Sequence, residues 1–326
     1  MSQLSGNTKW SVAKLKERSP VRWHERIGET SIFIISLASI LLIMLMAIFI
    51  LKEGLMVFIN PSIRAEVNFR ELFLKTVWQP ISEVPKYSLL PLIAGTLKTS
   101  FVALLIALPL GMLAALFISE CAPKWLSEFV KPTIELLAAI PSVVIGFFCL
   151  MKVASWLAHA YEIKWLHDAL TPHRLNTLVG GIGISIAVVP ITFTLCEEAF
   201  HGVPESYRAA SIALGATKWQ TALGVVIPTA MPGVIAAILL SFGRAWGETM
   251  IALMATGNAP LLDLNILHSV RTLAATVGAE MPEVVVGSSH YHVLFLIGTI
   301  LLSISFTVNG LSQLAISSLR KKLTGG

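Results

Sequence analysis

Two charged residues, Arg244 and Glu248, lie four positions apart inside a long apolar segment, 232–254. At the centre of a membrane-spanning helix each would cost about 2.5–3.5 kcal/mol, so such residues usually face a bundle interior or a water-filled cavity. The guanidinium offers planar, paired donors that match an oxyanion, and the carboxylate can neutralise it when no anion is bound. The pair predicts anion handling. The alternative is an ion pair that serves cohesion alone, a role that apolar residues could usually take.

The same segment separates small and polar residues from bulky ones when it is drawn as one helix. The small and polar face holds Ala237, Ser241, Arg244, Glu248, Ala252 and Ala255, and the opposite face holds Leu239, Phe242, Trp246, Met250 and Leu253. Such a helix is expected to line a path or to pack closely on a partner helix. Counted from Pro232, Arg244 would lie roughly 18 Å along the axis, near the middle of the membrane.

The composition places the chain among integral membrane proteins. Of its 326 residues 55% are hydrophobic and 13% are charged, whereas soluble domains are about 25% charged. No basic run is interleaved with aromatic residues, so nucleic-acid binding is not expected. The three cysteines are far apart and lie in or beside apolar segments, which suggests neither a disulfide framework nor a metal site. No cleavage site follows the first apolar run, so this run is expected to stay as an anchor.

We predict an all-α polytopic membrane protein with six spans, because each crossing needs about 20 apolar residues. The predicted spans are 31–51, 92–118, 133–151, 178–195, 232–254 and 293–316. Lysine and arginine are denser in the segments that share a side with the chain ends, which places both ends in the cytoplasm. The resulting divisions are a cytoplasmic segment 1–30, a first helix 31–51, a periplasmic loop 52–91 with an outer helix, a core 92–318 and a cytoplasmic tail 319–326.

The longest cytoplasmic loop of this topology is 197–231. It predicts a short helix over 204–214, a turn at Gly215, where glycine accepts a positive φ, and a second helix over 218–226 that ends at Pro228. A folded helical hairpin of this kind is a candidate docking surface. The alternative is a helix that lies on the bilayer interface.

Within this loop, AASIALG (209–215), nine further residues and VVIP (225–228) resemble the loop signature of ABC importer permeases, E-A-A, three residues, Gly, nine residues, I-x-L-P. Ala209 departs from it, because many members carry glutamate there. The resemblance implies a coupling helix that sits in a cleft of a separate ATPase subunit. The 326 residues contain no G-x-x-x-x-G-K-[ST] phosphate loop, so ATP would be bound elsewhere. The implied coupling residues are Ala209, Ala210, Ser211, Gly215, Ala216, Lys218 and Pro228.

Three further motifs are similar to those of phosphate-specific (Pst) ABC importer permeases: GRAWGETM (243–250), IPSVVIGFF (140–148) after Glu135, and PLGMLAALFISE (109–120). Met250 and the length favour the PstC type over the PstA type. The resemblance implies a type I importer fold in the bacterial inner membrane. Its implied partners are a PstA-like permease, two PstB-like ATPases that use ATP and Mg²⁺, a periplasmic PstS-like phosphate-binding protein and membrane lipid. The chain itself would bind no cofactor or metal and would not be an enzyme.

The substrate pathway that these patterns predict is lined by Ser241, Arg244, Glu248 and Thr249. Thr249 departs from the G-E-F-G-like motif of the related molybdate and sulfate permeases. Oxyanion selectivity is expected to rest mainly on the binding protein, so a permease for molybdate or sulfate is the alternative. An ATP-independent secondary transporter or channel would show an inverted repeat between its halves, and an intramembrane enzyme would show a convergent catalytic set. Neither pattern is visible in the sequence.

Several other residues have expected roles in packing, gating or anchoring. Pro141 with Ser142, and Pro190, are candidates for kinks inside spans. Glu135 is expected to cap the start of the third span, which Pro132 and Thr133 would open. Lys98 is expected to extend to the headgroups. The remaining expectations are close helix packing at Gly180, Gly181 and Gly183, and a surface pair at His290 and His292.

Overall fold

The computed structural model describes residues 23–160 and 171–323. Within these ranges the chain is helical, and the β-structure is limited to two isolated bridges. The helices are α1 Trp23–Ile59, α2 Pro61–Glu66, α3 Phe69–Leu74, α4 Leu90–Leu116, α5 Lys124–Ala138, α6 Ser142–Phe148, α7 Ala154–Ala160, α8 Thr177–His201, α9 Glu205–Ala213, α10 Lys218–Thr221, α11 Ile227–Trp246, α12 Met250–Ala255, α13 Leu273–Glu280 and α14 Ser289–Leu323.

The prediction of six spans is confirmed. Six of the described helical segments are long and apolar enough to cross a membrane: Arg26–Ile59, Leu90–Cys121, Ser142–Ala160, Thr177–His201, Lys218–Trp246 and Ser289–Leu314. The chain divides into two compact units, 1–49 and 50–326. The expected outer helix is a pair of short helices, α2 and α3. Residues 1–22 of the predicted N-terminal segment and 324–326 of the predicted tail lie outside the described residues.

The predicted third span, 133–151, is wrong at its start. Pro132 and Thr133 lie inside α5, which begins at Lys124 after Pro123, so Glu135 lies near the end of that helix and does not cap a start. The helix stops before Pro141, because proline lacks an N–H and disfavours helical backbone in the residue before it. The span itself begins at Ser142 and runs through a π-helical turn, Cys149–Val153, into α7. Pro141 therefore separates two helices and kinks neither.

The predicted fifth span, 232–254, is wrong at both ends. It begins at Lys218, because the π-helical turn Ala222–Val226 joins α10 to α11 and the chain stays helical past Pro228 and Pro232. Local π-helical adjustment is a recognised way for membrane helices to accommodate proline. The helix ends at Trp246 because Gly247 leaves the helical conformation, and α12 restarts at Met250. The predicted helix end at Pro228 is wrong for the same reason.

Small residues bring the spans of the second unit together, as predicted for α8. A Cβ atom at Gly181 would lie 2.4 Å from Val102 Cγ1, and one at Gly183 would lie 2.6 Å from Ile251 Cγ2. A Cβ at Gly180 would lie 2.5 Å from Thr256 Cγ2. These distances are below any van der Waals contact, so α8 approaches α4 and the 251–256 segment closely only because these positions lack side chains.

Candidate functional site

The predicted pair exists, but it does not lie on one continuous helix. Arg244 occupies the last turn of α11, and Glu248 lies in the break before α12. The Nη1 atom of Arg244 is 3.3 Å from Oε2 of Glu248. The Arg244 side chain is 46% exposed, whereas that of Glu248 is 4% exposed. The carboxylate is therefore buried beneath a guanidinium that is open on its other side.

The break at Gly247 gives this pair its asymmetry. A continuous helix would place both side chains on one face, one turn apart. In the structure the chain leaves the helix after Trp246, so Glu248 is directed inward while Arg244 stays exposed. A buried carboxylate without a partner is strongly destabilising, so Arg244 is held near Glu248. Guanidinium has five N–H donors, and most of them remain available for a further anion.

The distance along the helix that the sequence predicted for Arg244 is wrong, whereas its depth in the membrane stays a prediction. That prediction counted from Pro232, but the helix begins at Lys218. At 1.5 Å per residue, Arg244 lies about 39 Å along the helix and close to its end. The pair is thus placed at a helix terminus in the bundle, where an interrupted helix exposes backbone groups as well as side chains. Interrupted helices of this kind are a recurrent way to build ion sites in transporters.

Thr249 and Ser241, the other two predicted pathway residues, are placed differently from each other. Thr249 lies in the break beside Glu248, and a Cβ added to Gly278 of α13 would be 2.7 Å from its Cγ2 atom. Ser241 is fully buried, and its hydroxyl lies 2.8 Å from that of Thr192 on α8. Ser241 therefore joins α11 to α8. The predicted small and polar face is a packing surface at Ser241 and reaches an exposed position only at Arg244.

The first helix and the turn of the predicted hairpin are present, and the second helix begins where it was predicted. Helix α9 covers Glu205–Ala213, and Gly215 has a φ of +89°, as the turn required. The second leg is α10, whose N-terminus carries a complete capping box between Thr217 and Gln220. The hydroxyls of Ser211 and Thr221 lie 2.9 Å apart and join the two legs.

The tip of this hairpin is apolar and open. Leu214 is 90% exposed, and Tyr207, Ile212 and Trp219 are each about half exposed. Of the residues predicted for coupling, Ala209, Ala210, Gly215 and Lys218 are exposed, Ser211 and Ala216 are partly buried, and Pro228 lies in the first turn of α11. An exposed cluster of this size on a folded hairpin is typical of a protein-binding surface.

Arg208 and Glu120 form a contact that the sequence did not predict. Arg208 of α9 donates from Nε to Oε2 of Glu120 at 3.0 Å and from Nη2 to Oε1 at 2.9 Å. Glu120 lies in the π-helical turn that ends α4. Both were visible as charges next to apolar segments, but 88 residues separate them. Only the fold brings them together.

A second unpredicted network surrounds Lys98. Its Nζ atom lies 3.0 Å from Oδ1 of Asp263, and His268 Nδ1 lies 2.7 Å from the other oxygen, Oδ2. Burial alone would raise the pKa of Asp263, but the hydrogen bonds from Lys98 and His268 lower it. The expectation that Lys98 reaches the headgroups is therefore wrong, because the fold supplies a carboxylate partner within the protein.

The two histidines predicted as a surface pair have separate, partly buried partners. His290 Nε2 lies 2.8 Å from Oε2 of Glu280, and His292 Nδ1 lies 3.4 Å from Oε2 of Glu53. Glu280 also contacts Arg271 at 2.6 Å and accepts a hydrogen bond from Trp78. Among the described residues, no group of three or more His, Cys, Asp or Glu side chains converges as a metal site would require.

Of the predicted kink positions, only Pro190 lies inside a continuous helix, α8, where it is buried. Pro141 precedes α6, and Ser142 is the first residue of that helix. Glu135 is exposed on α5. Within the described part of the chain, none of these four residues forms a hydrogen bond or an ion pair with the Arg244 site.

Comparison with known proteins identifies the family to which this chain belongs. Residues 107–322 match the family described as binding-protein-dependent transport system inner membrane component. The phosphate transport system permease protein PstC of Xylella fastidiosa (strain Temecula1) is 31% identical over 77% of this chain and 79% of that protein. The probable ABC transporter permease protein YqgH of Bacillus subtilis is 35% identical over 70% of this chain and 72% of that protein.

A solved structure supports the fold. The bacterial ABC transporter involved in the import of the acidic polysaccharide alginate aligns with a TM-score of 0.54 and 14% identity, over 89% of this chain and 98% of that chain. At this identity the likeness concerns the fold alone. Taken with the six spans and the match over most of the core, it identifies the chain as a multi-pass membrane protein that belongs to the family of binding-protein-dependent transport system inner membrane components.

Proposed function

We propose that this chain is the permease subunit of an ATP-driven importer that moves inorganic phosphate into the cytoplasm by alternating access. The observation that carries the proposal is the arrangement of an exposed guanidinium, Arg244, over a buried carboxylate, Glu248. Relatives named as phosphate transport permeases, at 30% identity or more over most of their length, support the same substrate. The pathway would be lined by Arg244, Glu248 and Thr249.

The chemistry of the pair suits a transport site. Guanidinium binds phosphate oxygens through two parallel N–H donors, and it stays charged at every physiological pH. Glu248 neutralises it when the site is empty and can accept a hydrogen bond from a protonated oxygen of phosphate. A site that conducts must hold its ion weakly enough to release it. The carboxylate provides this, because it competes with the substrate for the same guanidinium.

The ATP that drives transport would be hydrolysed by other subunits, which assemble with this chain. We propose that the α9–α10 hairpin docks on an ATPase subunit, which binds ATP and Mg²⁺, and that two such subunits serve a pair of homologous permeases. A periplasmic phosphate-binding protein would deliver the substrate. The bacterial inner membrane, with both chain ends in the cytoplasm, is the location that fits these partners and the charge distribution.

The test is uptake of radiolabelled phosphate at micromolar concentration in a strain that lacks this chain and in the same strain complemented with it. We expect uptake only in the complemented strain, with loss after ATP depletion. An excess of unlabelled sulfate or molybdate should leave uptake unchanged. Displacement by either anion would assign a different oxyanion, and uptake that persists without ATP would contradict an ATP-driven importer.

A further inference from the structure

One partly buried side chain of α9, Arg208, forms hydrogen bonds with the ends of two membrane helices. The guanidinium of Arg208 donates two parallel hydrogen bonds to the carboxylate of Glu120, of 3.0 and 2.9 Å. The Arg208 side chain is 13% exposed and that of Glu120 is 7% exposed. A planar, two-point contact fixes distance and orientation together, which a single-point lysine contact cannot do.

The same guanidinium also binds the end of α8. Its Nη2 atom donates to the carbonyl of Phe200 at 2.7 Å, and its Nη1 atom donates to the carbonyl of Val203. The last carbonyls of a helix have no partner within the helix, so an arginine there both satisfies them and interacts favourably with the helix dipole. One side chain therefore joins the hairpin to the ends of two spans, α4 and α8.

Glu120 depends on this contact. It lies in the π-helical turn Phe117–Cys121, and besides Arg208 it accepts a hydrogen bond from the hydroxyl of Ser119 at 3.0 Å. Removing the arginine would leave a buried carboxylate with a single neutral donor, which is unfavourable. The end of α4 is thus expected to follow any displacement of Arg208.

The hairpin is built to move as one body. The Ser211–Thr221 hydrogen bond joins its two legs, and the capping box of Thr217 and Gln220 fixes the start of the second leg. The second leg continues through the π-helical turn into α11, whose far end carries Arg244. The first leg is joined to α8 by the connecting chain, and Arg208 adds hydrogen bonds to Glu120 and to the carbonyl of Phe200.

We propose that Arg208 and Glu120 form the joint through which movement of the coupling hairpin is passed to the ends of α4 and α8. This inference rests on the proposed function, because the movement it transmits is driven by the ATPase. Arg208 is a positioning residue in this scheme and touches no substrate. Without the joint the hairpin would still dock and ATP would still be hydrolysed, but the spans would respond incompletely.

The test measures phosphate transported per ATP hydrolysed, with the purified complex in proteoliposomes. Variants are Arg208→Gln, Arg208→Lys and Glu120→Gln. The matched control is Lys131→Gln, because Lys131 forms a 2.6 Å ion pair with Glu197 of α8 but does not touch the hairpin. Allosteric couplings are typically 1–3 kcal/mol, so we expect the ratio to fall by about 5- to 150-fold in the joint variants and to stay unchanged in the control.

A purely structural role would lower the amount of assembled complex and leave the ratio per complex unchanged, and that result would overturn the proposal. If Arg208→Gln fails to assemble, Arg208→Lys decides, since it keeps the charge and loses the two-point geometry; an unchanged ratio there overturns the joint. A wild-type complex that moves no phosphate would contradict the proposed function instead. The joint would then be judged by whether the same variants lose the stimulation of ATP hydrolysis by added binding protein.

Discussion

The guanidinium of Arg244 and the carboxylate of Glu248 face each other at 3.3 Å across the end of a helix, one exposed and the other buried. Burying both members of an ion pair costs desolvation energy, which their attraction repays only with good geometry and further hydrogen bonds. Here one member stays open to the surroundings, which leaves its remaining donors free for an incoming anion.

Replacing either member should impair transport in a different way. In Arg244→Gln the charged donors are lost, and since a hydrogen bond to a charged group contributes about 1.5–3 kcal/mol, we expect uptake to fall by about 10-fold or more. In Glu248→Gln the anion loses its competitor for the guanidinium, so we expect the apparent affinity for phosphate to rise and the maximal rate to fall because release is slower. Initial uptake rates over a range of phosphate concentrations test both.

The matched control for these variants is Arg70→Gln, which removes an exposed arginine from α3. It should transport at the wild-type rate. Normal uptake by Arg244→Gln at normal membrane levels would reduce the pair to packing and would remove the structural argument for an oxyanion.

The exposed tip of the hairpin predicts the effect of a charge at Leu214. This side chain is 90% exposed, and an aspartate there would have to be buried on docking. Loss of a central apolar contact typically costs about 2 kcal/mol or more. We expect Leu214→Asp to lose most of the ATPase that copurifies with the complex. Leu74→Asp, at an exposed leucine of α3, should retain it; equal retention by both variants would argue against docking through this tip.

The contact of Gly181 with Val102 predicts a stability defect in Gly181→Ala. The added methyl would lie 2.4 Å from Val102 Cγ1, so the helices must separate or a side chain must shift. Overpacking of this kind typically costs about 1–3 kcal/mol. The midpoint of thermal unfolding in detergent should therefore fall. Gly224→Ala is the control, because a Cβ atom at that position would have no neighbour within 4 Å. A midpoint as high as that of the control would contradict the prediction, because α4 and α8 would then accommodate the methyl group without loss of stability.

The Glu280 cluster predicts a pH dependence. Burial alone would raise the pKa of Glu280, but hydrogen bonds from His290 and Trp78 and the charge of Arg271 lower it below 4.5. A carboxylate of this kind contributes stability that is complete above its unfolded pKa and is lost as the pH falls through the folded one. The stability difference between wild type and Glu280→Gln should therefore hold near neutral pH and shrink below pH 4.5.

Thermal unfolding in detergent, measured for both proteins across this range, is the check. Glu83→Gln, at an exposed glutamate, should track the wild type throughout. If the difference between wild type and Glu280→Gln stayed constant well below pH 4.5, the stabilisation would not come from the ionised carboxylate.

The sequence by itself determined the class of protein, the six spans and the hairpin, because each follows from local features. Apolar length sets a crossing, a glycine with positive φ sets the turn at Gly215, and missing side chains at Gly180 and Gly181 set close packing. The helix breaks were harder to predict. Pro132 and Pro228 lie inside helical segments, whereas helices end before Pro141 and at Gly247, and residue type alone does not separate these cases.

The tertiary structure alone decided which charges are paired. Arg208 with Glu120, and Lys98 with Asp263, lie 88 and 165 residues apart in the chain. No periodicity links such residues, since side-chain pairing at this range depends on how whole helices pack. The break at Gly247 likewise buried Glu248 and left Arg244 exposed, an arrangement that the helical periodicity of the sequence did not predict.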